Sequence, residues 1–295
     1  MDKFKYDTTG YKIFTVCNYI ILTLLGLLCL FPIIHVLAVS LSGKGYVEAN
    51  LVTFLPKQIN FQSYKYIFTN TAFWRALLRS IERTVLGTII TTFFTILLAY
   101  PLSKDSNIFR FRFIYMGLLI VAMLFSGGLV PTYILVANTL HLKDTLWALI
   151  LPGSVQVFLV IMMMNFMRQL PKSIEEAAYI DGADHFAMLT MITIPCSTTI
   201  ILTVIMFSFM NQWNSWFDGL IYSSQPQYYP LQTYLQQFLK VEDNLSGMQQ
   251  GLYTEISENS LACANIIIIM LPIALIYPKI QKYFIKGITL GSVKG

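Results

Sequence analysis

Six long stretches of the sequence carry no charged residue, and their apolar residues do not alternate with polar ones. The stretches are 13–43, 84–103, 113–142, 145–167, 185–217 and 259–278. A helix needs roughly 20 apolar residues to cross the hydrocarbon core of a bilayer, where its backbone groups must bond to one another. A membrane β-barrel would instead show alternating segments of roughly ten residues. The pattern therefore predicts an all-α integral membrane protein.

Six transmembrane helices follow from these stretches. They are predicted at about residues 15–41, 81–102, 113–137, 146–167, 197–221 and 260–280. A further charge-free stretch, 219–239, is excluded because it holds five glutamines and two prolines, which suit an interfacial or aqueous segment. The first helix follows Lys3, Lys5 and Lys12 as a signal peptide would. Its apolar stretch exceeds the roughly 7–15 residues of a signal core, so we expect an uncleaved helix.

The composition agrees with a membrane protein and excludes several other classes. Only 12% of the 295 residues are charged and 56% are hydrophobic, whereas a soluble domain is about 25% charged. The high apolar fraction excludes an intrinsically disordered chain. Four cysteines in a chain of this length exclude a disulfide scaffold. Since no two of them have CxxC spacing, we interpret them as small apolar side chains.

The charges of the connections predict which side of the membrane each one faces. With six crossings, both termini share a side with 104–112 and 168–184, and these segments together hold 12 Lys or Arg and 7 Asp or Glu. The opposite connections hold 8 of each kind. Because cytoplasmic segments carry the excess of Lys and Arg, both termini are predicted to be cytoplasmic. Arg75, Arg79 and Arg83, at the outer approach to the second helix, are interpreted as anchors that extend to the membrane surface.

No motif in the sequence indicates an enzyme. There is no GxxxxGK[ST] loop to hold a nucleotide phosphate and no GxSxG nucleophile turn. His35, His141 and His185 lie far apart, without the spacing of a metal site. The charge-free stretches also lack the buried ionisable groups typical of ion-coupled transport. If the chain transports a solute, we expect the energy source in another subunit.

The cytoplasmic connection at 168–195 has a specific pattern. Pro171 and Ser173 are typical of a helix start, and Ser173 with Glu176 fits a capping box, in which hydroxyl and carboxylate bind free N–H groups of the first turn. Gly182 interrupts this helix as a residue that takes positive φ readily. Pro195 ends a second short helix before the fifth crossing. Two short helices that meet at a glycine predict a protrusion that docks into a groove of a cytoplasmic partner.

The same segment resembles the EAA motif of binding-protein-dependent ABC importer permeases. That motif is Glu-Ala-Ala, three residues, Gly, nine residues, Ile, any residue, Leu-Pro. Here it reads Glu176-Ala177-Ala178, Gly182, Ile192 and Ile194-Pro195, with Ile194 in place of Leu as the one departure. EEAAYIDGAD at 175–184 resembles the carbohydrate-uptake branch of the family. Four further strings resemble the second, maltose-transporter-like inner-membrane permease of Gram-positive oligosaccharide importers: SGGLVPTYILV at 126–136, DTLWALILP at 144–152, WNSWFDGLIY at 213–222 and KYFIKGITLGSVKG at 282–295.

The resemblance implies the type I ABC importer permease fold, with six transmembrane helices and cytoplasmic coupling helices. The expected parts are a cytoplasmic N-terminus at 1–12, a transmembrane domain at 13–281, a cytoplasmic coupling loop at 168–195, an extracellular loop at 218–258 and a cytoplasmic tail at 282–295. In that family the EAA segment sits in a cleft of the ATP-hydrolysing subunit. The C-terminal segment 282–295 is similar to tails of this family that extend to the ATP-hydrolysing subunit. A disordered tail is the alternative.

Coupling to the ATPase is the role that the resemblance implies for 168–195. Glu176 would pair with a basic group of the ATPase, while Ala177 and Ala178 would allow close approach and Gly182 would make the bend. The spacing of Phe186 and Leu189 suggests an apolar face toward the cleft. Capping alone is the alternative role for Glu176. The residues expected to take part are Glu175, Glu176, Ala177, Ala178, Asp181, Gly182, Ala183, Phe186, Leu189 and Pro195.

Aromatic and amide side chains near the end of the fifth helix suit a sugar, because aromatic faces contact C–H surfaces and amides bind hydroxyls. The candidates for the substrate pathway are Tyr133, Asn211, Gln212, Trp213, Asn214 and Trp216. For the tryptophans, a belt at the membrane interface is the alternative. In the extracellular loop, the turn-like Asp243, Asn244, Ser246 and Gly247 are candidates for contact with an extracellular binding protein, and a solvated loop is the alternative.

The resemblance implies a permease subunit of an ATP-driven importer in the bacterial plasma membrane. It would move an oligosaccharide, delivered by a lipid-anchored extracellular binding protein, into the cytoplasm by alternating access. The expected partners are a second homologous permease, two copies of an ATP-binding cassette subunit, the binding protein and membrane lipid, with no nucleic acid. ATP and Mg would be used by the partner subunits and no cofactor by this chain.

Three other functions are alternatives to this one. A permease of the same architecture for a non-sugar solute is the main alternative. A self-sufficient secondary transporter would usually show buried ionisable groups or paired interrupted helices. A membrane enzyme would need an acid–base pair or metal cluster near the membrane face.

Overall fold

The computed structural model describes residues 9–125, 127–240 and 256–292. Within these ranges the chain is mainly helical, and the β pairing found there is a single antiparallel bridge between Ser42 and Ile59. The predicted all-α class is therefore confirmed for the described residues.

The described part of the chain contains fifteen α-helices. They are α1 (Thr9–Ser40), α2 (Lys44–Glu48), α3 (Gln62–Thr69), α4 (Thr71–Ser103), α5 (Arg112–Leu124), α6 (Leu129–Tyr133), α7 (Leu146–Ile150), α8 (Val157–Met167), α9 (Lys172–Ile180), α10 (His185–Ala187), α11 (Ile194–Cys196), α12 (Thr198–Asn214), α13 (Phe217–Tyr222), α14 (Leu231–Lys240) and α15 (Glu258–Ser292). Wider π-helical turns follow α6 at Ile134–Thr139 and α10 at Met188–Thr193, and 3₁₀ turns lie at Leu151–Gly153 and Pro226–Tyr228.

Three helices are each long and apolar enough to cross a membrane: α1, α4 and the Glu258–Pro278 part of α15. Three bent pairs of helices pass the same test when each pair is taken as one span, so the described residues contain between three and six candidate spans. Two of these bends measure 51°, between Leu146–Gly153 and Val157–Met167, and 80°, between His185–Cys196 and Thr198–Asn214. The chain is therefore a multi-pass membrane protein by length and composition.

Several helix boundaries differ from the predicted ones for identifiable reasons. The helix predicted at 81–102 begins ten residues earlier, at Thr71, because hydropathy marks the membrane rather than the end of a helix. The helix predicted at 113–137 is divided, with α5 ending at Leu124 and α6 starting after Gly128, whose φ of +81° is left-handed. The helix predicted at 197–221 ends at Asn214, and α13 begins at Phe217.

The described chain divides into two compact units, of which the first comprises the described residues of 1–70 and 238–270. Its small core consists of Ala38, Val39, Val47 and Val52, with Cys263 packed against it. The Ser260 hydroxyl, near the start of α15, donates to the Val39 carbonyl at 2.9 Å. Along most of α1 the apolar side chains are exposed, which suits contact with lipid or with another protein.

The second unit comprises the described residues of 71–237 and 271–295. Its core is formed by α4, α8, α12 and the two short helices of the 168–195 segment. The buried members are Ala99, Tyr100, Leu102, Leu159, Val160, Met163, Met164, Met167, Ala178, Met188, Ile200 and Val204. The segment that resembles the EAA motif is thus packed against the membrane helices rather than attached as a loose loop.

The helix α4 is central to the second unit and packs against both α8 and α12. Its buried face consists largely of small and hydroxyl side chains: Ala76, Ser80, Thr84, Gly87, Thr88, Thr91, Thr92, Thr95 and Ala99. Small residues allow membrane helices to approach one another closely. This face positions both ends of α4 against the residues of the candidate site.

Candidate functional site

The first short helix of the 168–195 segment, α9, begins after Pro171, which serves as the residue before its first turn. Pro171 makes no side-chain cap, and Ser173 is already the second residue of the helix, two positions past the one from which a side chain caps it. The predicted capping box between Ser173 and Glu176 is therefore wrong, because the proline starts the helix two residues earlier. Glu176 is exposed, so capping does not explain this side chain.

The turn between α9 and α10 depends on Gly182, whose φ is +83°. The Gly182 N–H donates to the Tyr179 carbonyl at 3.1 Å, and the Ala183 N–H donates to the Ala178 carbonyl at 2.9 Å. This pair of bonds is a Schellman motif, which ends a helix on a left-handed residue. The Asp184 carboxylate then accepts from the Ala187 N–H at 2.7 Å and caps α10. The predicted bend at Gly182 is confirmed by this geometry.

The surface of the segment is apolar at three positions next to this turn. Ile180, Phe186 and Met191 are 86%, 73% and 76% exposed. Phe186 and Leu189, which were expected to share one face, lie in different surroundings, since Leu189 packs against the core of the second unit. The π-helical turn that starts at Met188 changes the register between them. Ile180 and Met191 were not anticipated from the sequence, where they read as ordinary apolar positions.

The remaining residues expected to couple to the ATPase differ in exposure. Ala177, Asp181 and Pro195 are exposed, Ala183 is half-buried, and Ala178 is buried in the core. The Schellman turn thus places an exposed Asp181 and a buried Ala178 within one turn of each other.

Two ion pairs join α9 to the end of α4. Lys104 Nζ lies 2.7 Å from Glu175 Oε1, with side chains only 5% and 24% exposed. Lys172 Nζ donates to Asp105 Oδ2 at 2.8 Å, with side chains 75% and 55% exposed. The hydrogen bond and charge of Lys172 lower the pKa of Asp105, and the same contact raises the pKa of Lys172. Glu175 is therefore engaged within the chain.

These ion pairs line a polar cavity of about 380 Å³ in the second unit. Its charged lining comprises Lys104, Asp105, Arg168, Lys172, Glu175 and Glu176. Tyr100, one turn before Lys104 in α4, donates from its hydroxyl to the His185 carbonyl at 3.2 Å. Lys104 and Tyr100 were not singled out from the sequence, because their partners lie some 70 residues or more away along the chain.

In the first half of α4, the side chain of Arg83 is buried, with only 2% of the residue exposed. Its guanidinium pairs with the Asp218 carboxylate through both terminal nitrogens. It also donates to Gln212 Oε1 at 3.1 Å, the Ser215 carbonyl at 3.1 Å and the Leu149 carbonyl at 3.4 Å. The interpretation of Arg83 as a surface anchor is therefore wrong, because its position on the buried face of α4 directs it inward.

The candidate sugar residues at the end of α12 lie next to this network. Gln212 is buried against Arg83, and Trp213 is buried with its ring stacked on Phe209. Asn211 and Asn214 are exposed, and Trp216 is half-buried. The structure thus brings these five residues to one end of the second unit, with the two asparagines and Trp216 accessible.

Tyr133, the remaining candidate, stacks on Tyr222 with ring centroids 5.9 Å apart and planes 7° from parallel. Both rings belong to a small apolar cluster with Val136, Ala148 and Leu149. Leu149 also accepts from Arg83, so this cluster adjoins the Arg83 network. Asp243, Asn244, Ser246 and Gly247 lie outside the described residues.

Comparison with known proteins shows similarity over nearly the whole chain. The sequence is 37% identical to the protein LplC of Bacillus subtilis (strain 168), over 98% of each chain. It is 35% identical to the polygalacturonan/rhamnogalacturonan transport system permease protein YtcP of the same organism, over 96% of this chain and 99% of that one. No family model matches the chain.

Two solved structures are also similar. A chain of a bacterial ABC transporter involved in the import of the acidic polysaccharide alginate matches with a TM-score of 0.86 and 27% identity, over 94% of this chain and 98% of that one. A chain of the bacterial alginate ABC transporter in complex with an alginate pentasaccharide-bound periplasmic protein matches with a TM-score of 0.58 and 17% identity, over 92% and 93%. At that identity the second likeness concerns the fold alone.

Proposed function

The chain belongs to the sugar ABC transporter permeases, and we propose that it provides one half of the membrane pathway of an ATP-driven oligosaccharide importer. The observation that carries this function is the full-length similarity to a named polysaccharide-fragment permease, together with the fold shared with the alginate importer. The function predicted from the sequence is confirmed as that of an oligosaccharide import permease.

The proposed topology has six spans with both termini in the cytoplasm. The three bent helix pairs are counted as one span each, and the excess of Lys and Arg in the termini, 104–112 and 168–184 supports the orientation. In this topology the 168–195 segment is cytoplasmic, whereas Arg83 and the candidate sugar residues lie toward the outer surface. The loop 218–258 is then extracellular, and α15 continues through most of the proposed cytoplasmic tail.

The proposed partners follow from this topology. A second, homologous permease completes the pathway, and its contact would cover part of the exposed apolar surface of α1. Two copies of an ATP-binding cassette subunit use ATP and Mg on the cytoplasmic side, and this chain binds neither. An extracellular binding protein delivers the sugar, with 243–247 as the proposed contact. The assembly belongs in the bacterial plasma membrane.

The 168–195 segment is proposed to dock in the ATPase through its exposed residues. Glu176 supplies an exposed carboxylate, and Ile180 and Phe186 supply exposed apolar side chains on either side of the Gly182 turn. ATP binding would draw the two ATPase subunits together and carry the docked segments with them. The pathway then shifts from facing inward to facing outward, because ATP favours one of two pre-existing states.

The sugar is proposed to pass the accessible side chains at the end of α12. Asn211 and Asn214 offer amide donors and acceptors for sugar hydroxyls, and Trp216 offers an aromatic face. Buried Gln212 and Trp213 would support these residues from behind, through Arg83 and Phe209 respectively. Tyr133 would shape the neighbouring wall through its stack on Tyr222.

Uptake by the assembled importer tests this function. The complex of both permeases and the ATPase is reconstituted in liposomes with its binding protein, and accumulation of labelled solutes is measured with and without ATP. We expect ATP-dependent uptake of at least one oligosaccharide from a panel of neutral and uronic-acid oligomers. Uptake of an amino acid or inorganic anion, with none of any oligosaccharide, would contradict the proposal.

A further inference from the structure

The last turns of α4 attach it to both short helices of the 168–195 segment. Tyr100 lies in the last turn of α4, and Lys104 directly follows its last residue, Ser103. The Tyr100 hydroxyl donates to the His185 carbonyl in α10 at 3.2 Å, and Lys104 Nζ lies 2.7 Å from Glu175 Oε1 in α9. The ammonium of Lys104 also lies 4.6 Å from the centroid of the Tyr100 ring, within the range of a cation–π contact.

The attachment is buried, which makes it stiff. Tyr100 and Lys104 are both at most 8% exposed. Leu102, Ala178 and Met188, from α4, α9 and the turn after α10, are buried in the same cluster. Polar contacts of this kind are stronger and more fixed in geometry than contacts in water. Pro101 has no N–H to donate to the Leu97 carbonyl, so α4 lacks one helix hydrogen bond next to Tyr100. The contacts of Tyr100 and Lys104, on either side of Pro101, hold this part of the chain in place.

The same helix is held by polar contacts in its first half. Arg83 lies 21 residues before Lys104, a distance of about 30 Å along a helix. There it pairs with Asp218 and Gln212, beside the proposed sugar contacts at Asn214 and Trp216. One helix is thus fixed to the proposed docking segment at and just beyond its last turn, and to the proposed sugar segment at Arg83.

We infer that α4 is the element that transmits the movement of the 168–195 segment to the sugar pathway. This inference rests on the proposed function. Tyr100 and Lys104 are its positioning residues: they make α9, α10 and the end of α4 move as one body. Arg83 passes the displacement of α4 on to the end of α12.

The chain offers a matched control for the Lys104–Glu175 pair. Lys172 and Asp105 join the same two segments at nearly the same distance, 2.8 Å against 2.7 Å, but both side chains are more than half exposed. Solvent and salt weaken an exposed pair. If α4 transmits the movement through buried contacts, the exposed pair is dispensable.

Charge exchange in the reconstituted importer tests the inference. The variants are Lys104→Glu, Glu175→Lys and the double exchange. The single variants Asp105→Lys and Lys172→Asp, each of which breaks the exposed pair, are the controls, and Tyr100→Phe is a minimal change. Assembly with the ATPase, ATP hydrolysis stimulated by loaded binding protein, and sugar uptake are all measured. We expect assembled complexes in which each single variant lowers uptake per ATP by about tenfold, with substantial recovery in the double exchange.

Failure of this inference and failure of the proposed function give different results in this experiment. Each control variant should change uptake per ATP by less than about twofold, and Tyr100→Phe should lower it without loss of assembly. Single variants that assemble and retain normal uptake per ATP would overturn the inference, as would a double exchange no better than the singles. A wild-type importer that moves no oligosaccharide would instead overturn the proposed function.

A distance measurement covers the case in which the charge variants do not assemble. Spin labels replace exposed Ser173 in α9 and exposed Leu97 in α4, in a chain whose four cysteines are changed to alanine. The distance between the labels should change by less than about 2 Å when ATP is added to the importer, because the two helices move together. A change of about one helical turn, roughly 5 Å or more, would overturn the inference.

Discussion

Arg83 lies within the packed part of a membrane protein, with every N–H group of its guanidinium directed at an acceptor. The group has five donors, and five hydrogen bonds connect it to Asp218, Gln212, Ser215 and Leu149. Asp218 accepts in addition from the Ser215 hydroxyl at 2.8 Å and the Gly219 N–H at 3.0 Å. A buried ion pair with its remaining groups satisfied is tolerated, whereas one with a partner removed is costly.

Replacement of Arg83 should therefore be strongly destabilising. Arg83→Ala leaves the Asp218 carboxylate without its cation and should lower the free energy of unfolding by about 3–5 kcal/mol. Arg83→Lys should retain only part of the stabilisation that Arg83 provides, because an ammonium cannot donate in the planar fork that a guanidinium provides. Heat- or denaturant-induced unfolding of the detergent-solubilised importer measures the stability of both variants.

The neighbouring arginine provides the control for Arg83. Arg79 pairs with Glu82 at 3.6 Å near the surface of the same helix, so Arg79→Ala should change the free energy of unfolding by less than about 1 kcal/mol. Equal losses at the two positions would show that Arg83 is the surface anchor that charge patterning suggested.

At the scale of the helix, charge-free stretches located the membrane-crossing regions but not where helices break. Hydropathy does not distinguish a straight helix from two bent segments of equal apolarity, which is why the break after α5 was not predicted. The Gly182 bend was predictable because only glycine takes φ near +83° without strain. The capping box predicted at Ser173 and Glu176 was wrong, because Pro171 fixes the start of α9 earlier than the spacing of these two residues implied.

Close packing of α4 on α12 leads to a prediction at Gly87. A Cβ at this position would lie 2.6 Å from Cδ of Gln212, and Gln212 is held by Arg83. Gly87→Ala should therefore destabilise the protein by about 1–3 kcal/mol, the range for overpacking. Thermal unfolding of the purified importer measures it.

Gly117, in α5, is the matched control for Gly87. Apart from its chain neighbours and its own helix backbone, no atom of the described residues lies within 4 Å of the position of its Cβ. Gly117→Ala should therefore leave stability unchanged or raise it by up to about 1 kcal/mol through helix propensity. If Gly87→Ala were as stable as Gly117→Ala, the described packing of α4 on α12 would be incorrect.

At the scale of the whole molecule, the motif and the fold lead to the same assignment by different routes. The EAA pattern depends on a short local spacing and was legible in the sequence, as was the oligosaccharide-import function it implied. The ion pairs that attach the motif to α4 join Lys104 to Glu175 and Asp105 to Lys172. Pairings over such separations leave no periodic signal in one sequence, so the structure was needed to find them.

Glu176 provides the most direct test of the central claim, that the 168–195 segment couples this permease to ATP hydrolysis. In the reconstituted importer, ATP hydrolysis and sugar uptake are measured together for wild type, for Glu176→Ala and for Glu48→Ala, an exposed helical glutamate in the first unit. Loss of a charge pair at the docking cleft should lower uptake by about tenfold or more in Glu176→Ala, with insertion intact and Glu48→Ala unchanged. Unchanged uptake in the Glu176→Ala importer would contradict the account.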